Sequence, residues 1–284
     1  MAVQTMKEIR LIVSDVDGTL VNNKKKITPG TMAAVTKVQA AGIRFAIASG
    51  RAWGEMDEIL TTLPMVEDFI CSNGALVVHY HEGKETTLFR ESFSREQTKA
   101  ILMALKDVDV YIEAYSGSHI YGEEACVSHF SDYVSDTIAP LIMATRQMVP
   151  HMVDYVLEKQ LPIEKVQIFY GTEGKKQQAK RLVEELGMFT VIESSEGNLE
   201  FVLPQIGKGR AVKALADSMG ITAAQVMTIG DSNNDLSMLT YAGTSFAMAS
   251  GEDTAKQAAK YITASNEEDG VAQAIYTVLA RQGK

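Results

Sequence analysis

The stretch IRLIVSDVDGTLVNNKKK, residues 9–26, joins a short apolar run to two carboxylates separated by one residue, followed at once by Gly18 and Thr19. Ile9, Leu11, Ile12 and Val13 are apolar and mostly branched over too few positions for a helix, so the run reads as a buried strand. Asp15 and Asp17 then stand at its C-terminal end. In open α/β sheets that edge is where ligands bind, because loops leaving the strands form a crevice there. Gly18 lets the chain leave the strand in a conformation closed to other residues, and the Thr19 hydroxyl can tie the loop to a neighbouring carboxylate. Lys24, Lys25 and Lys26, which follow, read as a solvated loop.

Working outward, ITPGTMAAVTKVQAAG places Thr28 as N-cap, Pro29 at the first helical position and Gly42 as a stop signal. A second strand at 43–49, a helical stretch, a strand at DFICS and the turn NGA before LVVHY complete a strand–helix–strand series. The same alternation returns at the end of the chain, where QVMTIGD is a strand ending in an acid between two helical stretches. The expected fold is therefore α/β, a Rossmann-like, doubly wound parallel sheet assembled from both ends of the chain. Between them strands such as ETTLFRE, DVYIEAY and KVQIFY alternate with helices, one opened by the capping box SREQ at Ser94. This predicts an inserted α/β cap, or lid, at 83–204 on a core formed by 1–82 and 205–284.

Composition narrows the function. The 284 residues carry 27 Lys+Arg against 36 Asp+Glu, a formal net charge of -9, which argues against binding the phosphate backbone of nucleic acid. An anionic ligand then has to be a small one met by a local cationic site. The two cysteines, Cys71 and Cys126, form neither a disulfide framework nor a metal cluster and suit a reducing compartment. With no long apolar run and no cleavable leader pattern, the expectation is a soluble, cytoplasmic protein with no membrane partner. The five histidines show no metal-ligand spacing, and the 14 methionines read as core filler.

Four motifs fall at the ends of the expected core strands: Asp15-Val-Asp17-Gly-Thr19, Ser49-Gly50-Arg51, Gly207-Lys208-Gly209, and Gly230-Asp231-Ser-Asn-Asn234-Asp235. Asp15, Asp17 and Asp231 supply three hard-oxygen carboxylates suited to Mg²⁺, which completes its shell with water and substrate phosphate. Without a cation, such crowded carboxylates repel one another and their pKa values rise. Ser49 and the Gly50 amide can donate hydrogen bonds to a phosphoryl oxygen, and Lys208 at a helix start adds a point charge. Arg51 is equally readable as a phosphate ligand or an ion-pair partner, and Asn73 as a turn residue or a substrate contact.

In this order, DVDGTL, SGR, GKG and GDSNND resemble the haloacid dehalogenase superfamily of aspartate-nucleophile phosphatases; SNGA and YITASNEEDGVAQAI further resemble its Cof-like sugar phosphatases. The resemblance spans nearly the whole chain. It implies a Mg²⁺-dependent phosphatase of small phosphorylated metabolites, sugar phosphates above all, with Asp15 as nucleophile and Asp17 as acid/base. It further implies a metal held by the Asp15 carboxylate, the Asp17 main-chain carbonyl and Asp231, with Asp235 supporting that shell. Asn234 joins Ser49, Gly50 and Lys208 around the phosphate. One departure stands out: where the Cof-like pattern has Gly-Asn-Ala, this chain has Ala249, Ser250 and Gly251. Two alternatives share the constellation, a phosphosugar mutase and a non-catalytic sensor of phosphometabolites. The oligomeric state is not legible in the sequence.

Overall fold

The computed structural model describes residues 8–193 and 197–283 and divides into two compact units. The first contains the described residues up to Arg51, Met56–Phe89, and those from Gly207 on; the second contains Ala52–Glu55 and Arg90–Ile206. The boundaries expected at 82/83 and 204/205 thus fall instead at 89/90 and 206/207. The reason is local: Lys84–Arg90, expected to open the insert, is hydrogen-bonded to Leu76–His81 and extends the sheet of the first unit.

That sheet has eight strands in the order Tyr261–Thr263, Thr244–Met248, Val226–Gly230, Leu11–Asp15, Arg44–Ala48, Asp68–Cys71, Leu76–His81, Lys84–Arg90. The first six run parallel, and Leu76–His81 turns back antiparallel. Leu11 and Val13 pack with Ala46, Ala48 and Ile70 against Ala211, Val212 and Leu215 of helix Lys208–Ser218. Ile12, Phe45 and Ile47, one residue out of phase, are equally buried and serve the opposite face. Helices Pro29–Ala40 and Gly270–Arg281 pack against each other. The punctuation of the first helix is as expected, since Thr28 Oγ1 accepts from Thr31 N at 3.1 Å and Gly42 adopts φ +75°. Chain order reverses at Leu11–Asp15, which pairs with Arg44–Ala48 on one side and Val226–Gly230 on the other. A crevice opens at the C-terminal ends of strands where order reverses in this way.

The second unit is a six-stranded sheet, Thr190–Ile192, Asn198–Val202, Lys165–Phe169, Tyr111–Ser116, His119–Glu123, Gln147–Val149, antiparallel except for its last pair. Ile112, Ala114, Val166, Ile168, Leu199 and Phe201 share a core with Ile101, Leu102 and Leu105 of helix Arg95–Leu105. By strand alternation, Glu113, Tyr115, Lys165, Gln167 and Glu200 occupy the other face, also buried. Their charges are met there: Arg146 Nε donates to Glu113 at 2.8 Å and Lys165 Nζ to Glu200 at 2.9 Å. Alternation of apolar and charged residues reads as half-exposed in sequence, so this second buried layer is not legible there.

Glu164, 1% exposed, accepts the Gly117 amide at 2.8 Å and pairs with Arg90 Nε at 3.0 Å. Burial nevertheless outweighs both partners and pushes its pKa from 4.5 up to about 7. The folded protein therefore binds more protons than the unfolded chain between those values, and its stability falls as pH rises through that window, levelling above it. The full loss is about 3 kcal/mol at most. Urea unfolding at pH 5 and pH 8 should show this loss in the wild type and a smaller one in Glu164→Gln; parallel pH dependences would refute it.

Candidate active site

Asp15 is the last residue of its strand, and its neighbours in the sheet, Ala48 and the end of Val226–Gly230, lead directly into the second and fourth motifs. The chain then turns tightly, with the Val16 carbonyl accepting from the amides of Leu20 and Val21 at 2.9 and 3.1 Å. Gly18 sits at φ +84°, where a Cβ would lie 2.3 Å from Asp231 Oδ2, so only glycine permits this approach. Thr19 Oγ1 donates to Asp231 Oδ1 at 3.1 Å, the loop-to-carboxylate tie expected of that hydroxyl.

Lys208 is the first residue of its helix and fully buried. Its Nζ donates to Asp15 Oδ1 at 2.6 Å and to Asp235 Oδ1 at 2.7 Å. The second Asp235 oxygen accepts the main-chain amides of Asp231 and Ser232 at 2.8 and 3.1 Å, which fixes the turn of the fourth motif. One carboxylate oxygen each from Asp15, Asp231 and Asp235 lies within 4.8 Å of the others. Asp235, which the sequence presents as a supporting residue, is thus a full member of the carboxylate cluster.

The cluster's electrostatics follow from burial. Burial pushes the Asp15 carboxyl well above the usual range, and Asp235 and Asp231 add to the rise while Lys208 opposes it. Asp231 is pushed up to about 6, by burial first and by Asp235 second. Burial alone would lower Lys208, but Asp15 and Asp235 outweigh it and hold its pKa above the ordinary lysine range. One ammonium thus faces three carboxylates, and Asp15 Oδ2 is buried with no hydrogen-bond partner among the described residues. An orphaned buried oxygen beside two further carboxylate oxygens is the donor set of a hard divalent cation, so the residues fit a metal.

Asp17 lies outside that cluster. Its carboxylate accepts from Arg51 Nε at 3.0 Å, Arg51 Nη2 at 2.8 Å and Lys25 Nζ at 2.9 Å. Burial raises the pKa, yet Arg51 and Lys25 together bring it below the usual carboxylate range. Of the two readings open for Arg51, the structure shows the ion pair. Lys25, which in sequence is one of a solvated run of lysines, is the contact that sequence reasoning missed.

The remaining sequence candidates meet around Asn73. Ser49, buried, accepts the Arg51 amide on Oγ at 3.2 Å, and its carbonyl accepts the Asn73 amide at 3.1 Å. A side chain on Gly50 would meet Asn73 Oδ1 at 2.9 Å, and that same oxygen accepts from Asn234 Nδ2 at 3.4 Å. Asn73 adopts φ +56°, a left-handed conformation that asparagine tolerates, so it is a turn residue that also bridges the second and fourth motifs. At the Ala249-Ser250-Gly251 departure, Ser250 Oγ donates to Asn266 Oδ1 at 3.3 Å, and Asn266 Nδ2 donates to the Val21 carbonyl at 3.1 Å. A contact to the loop after Asp15 is therefore made here through Asn266.

Residues 12–275 match a family described as haloacid dehalogenase-like hydrolase. The chain belongs to the haloacid dehalogenase-like hydrolases. Among relatives of this hydrolase, 5-amino-6-(5-phospho-D-ribitylamino)uracil phosphatase YwtE of Bacillus subtilis (strain 168) is 29% identical, covering 96% of this chain and 99% of that protein. Phosphatase YwpJ of the same organism is 28% identical, with 93% and 98% covered. A haloacid dehalogenase-like hydrolase from Bacteroides thetaiotaomicron, solved as a crystal structure, superposes with a TM-score of 0.82 at 28% identity, covering 95% of this chain and 100% of that one. With phosphatases matching along nearly its whole length, this hydrolase is an enzyme of the phosphatase class, as expected from its motifs. No helix among the described residues is long and apolar enough to cross a membrane.

Proposed function

We propose that this hydrolase is a Mg²⁺-dependent phosphomonoesterase of small phosphorylated metabolites, foremost sugar phosphates, working through an aspartyl-phosphate on Asp15. The observation that carries the reading is the Asp15 carboxylate itself. One oxygen is held by buried Lys208, and the other is buried, without a hydrogen-bond partner among the described residues, beside Asp231 and Asp235. Mg²⁺ bound by Asp15, Asp231 and the Asp17 carbonyl would neutralise the cluster and the charge of the incoming phosphoryl group.

In this reading an Asp15 oxygen bonds to phosphorus as the bond from phosphorus to the leaving oxygen breaks. The leaving oxygen keeps the electron pair and takes a proton from Asp17, whose carboxyl Arg51 and Lys25 hold ionised in the free protein and which must therefore be protonated before this step. Water then attacks phosphorus, giving its proton to the ionised Asp17, and the Asp15–phosphorus bond breaks to restore the carboxylate. Ester and water have become alcohol and phosphate, with Asp17 back at its starting protonation. Lys208 holds Asp15 in line, Asp235 holds Lys208 and the fourth-motif turn, and Ser49, Gly50 and Asn234 supply donors to the phosphoryl oxygens. The relative YwtE, named for a phosphorylated ribitylamino-pyrimidine, supports a phosphorylated polyol or sugar as the substrate class. A chain of 284 residues with only two cysteines suits placement in the reducing cytoplasm.

The test is phosphate release from sugar phosphates, nucleotides and pyridoxal phosphate, with Mg²⁺ or with EDTA. Turnover of at least one ester, lost in EDTA and regained with excess Mg²⁺, is expected; turnover indifferent to EDTA would sink the metal assignment. Isomerisation of a sugar phosphate outpacing phosphate release would favour the mutase, and tight Mg²⁺-dependent binding without release would favour the sensor.

A further inference from the structure

We propose that Asn266 is a positioning residue for the metal site, its side-chain amide tying together the two loops that present the Asp17 carbonyl and the Asp231 carboxylate. This rests on the reading of the carboxylate cluster as a Mg²⁺ site. The Asn266 amide, in a residue only 8% exposed, is used at both ends. Nδ2 donates to the Val21 carbonyl at 3.1 Å and to Asn23 Oδ1 at 3.2 Å, while Oδ1 accepts from Ser250 Oγ at 3.3 Å. A carbonyl can only accept, so the nitrogen has to face Val21 and the oxygen is left for the hydroxyl.

Each end of that amide acts close to a proposed ligand. Val21 forms a parallel bridge with Asp17, and its own amide donates to the Val16 carbonyl at 3.1 Å, so the peptide that Asn266 holds runs beside that of Asp17. On the other side, residues 250–252 pack on the main chain of Asp231. Glu252 N donates to the Asp231 carbonyl at 2.7 Å, and a Cβ on Gly251 would lie 2.6 Å from that oxygen and 3.0 Å from Asp231 Cβ. Asn266 is itself held in place. It opens the turn Asn266–Glu268, closed by Glu268 N and Gly270 N on the Ser265 carbonyl at 3.1 and 2.9 Å, and Glu267 beside it accepts the Asn23 amide at 2.6 Å. The three hydrogen bonds of the Asn266 amide involve no charged group, so they act on where the loops stand and leave the charge of the site alone.

Mg²⁺ demands a near-ideal octahedron of oxygens, whereas Ca²⁺ accepts irregular shells. Loops that lose their tie should therefore weaken Mg²⁺ more than Ca²⁺, a difference that a general loss of stability does not produce. The experiment follows the melting of EDTA-stripped protein as MgCl2 or CaCl2 is added. The stabilisation grows with the logarithm of cation concentration above Kd, so each titration yields a Kd whatever the starting stability. Asn266→Ala should raise the Mg²⁺ Kd about tenfold, the low end of what groups behind the ligands contribute, and the Ca²⁺ Kd about twofold. An unchanged Mg²⁺ Kd, or equal rises for both ions, would overturn the proposal. If Asn266→Ala does not fold, Asn266→Asp takes its place, since it keeps the shape and the acceptor for Ser250 but sets an oxygen against the Val21 carbonyl. Its added charge alone would favour a cation, so a raised Mg²⁺ Kd reports displaced loops and a Kd at or below the wild-type value overturns the proposal. Asp231→Asn, measured alongside, keeps the two readings apart. If Mg²⁺ stabilises it as much as the wild type, or stabilises neither, the metal reading of the cluster fails and the role of Asn266 fails with it.

Discussion

Asp15→Asn should cut phosphate release by roughly 10⁴-fold or more while the protein stays folded and, in EDTA, melts no lower than the wild type. The first half follows from the proposed chemistry, since an amide oxygen cannot form the acyl-phosphate bond that a carboxylate forms. The second half follows from electrostatics. Asp15 is buried beside Asp231 and Asp235, and its raised pKa says that its charge is disfavoured there. Removing that charge relieves the repulsion, and Lys208 keeps Asp235 at 2.7 Å. A site that stores such repulsion for function gains or keeps stability when the function is removed. Phosphate release and a thermal melt in EDTA check both halves. Residual activity within tenfold of wild type would refute Asp15 as nucleophile, and a melting point lowered by more than about 5 °C would refute the electrostatic account.

Lys208→Met carries the largest expected cost in stability. It keeps the length of the stem but removes the ammonium that touches both Asp15 and Asp235, all three groups being buried. Breaking a buried pair by removing one partner costs about 3–5 kcal/mol, because the remaining charge is left uncompensated. Activity should fall with it, by roughly two orders of magnitude or more, as Asp15 loses the donor that orients it. Because a divalent cation compensates the same carboxylates, Mg²⁺ should raise the melting temperature of Lys208→Met more than that of the wild type. Denaturant unfolding with and without Mg²⁺ gives the answer. A Lys208→Met protein as stable as wild type in EDTA would show that the carboxylates are neutral without the lysine.

The parallel sheet and the residues that meet at its edge are largely legible in the sequence. Ile9 to Val13 can only be a buried strand, and an acid at the end of such a strand must lie at the sheet edge. Once Asp15 and Asp231 end neighbouring strands, their proximity is a property of topology, and Thr19 and Lys208 follow from the same placement. The misplaced domain boundary shows the limit of reading by segments. Lys84–Arg90 has the composition of any strand, and whether it extends one sheet or opens another depends on which free edge its hydrogen bonds reach. The buried polar layer of Glu113, Lys165, Gln167 and Glu200 is invisible for a related reason, since alternation announces two faces and does not say that both are covered.

The sequence by itself determined the fold class, the family and the carboxylates with their lysine, because strand periodicity and short motifs are local and their chemistry travels with the residues. Only the tertiary structure decided where the charges pair. It turned Arg51 and Lys25 onto Asp17, brought Asp235 into contact with Lys208, and left one oxygen of Asp15 buried without a hydrogen-bond partner among the described residues. Those pairings are matters of a few ångströms between residues 8, 34 and 27 positions apart, and a pair's charge state depends on burial that no segment carries alone.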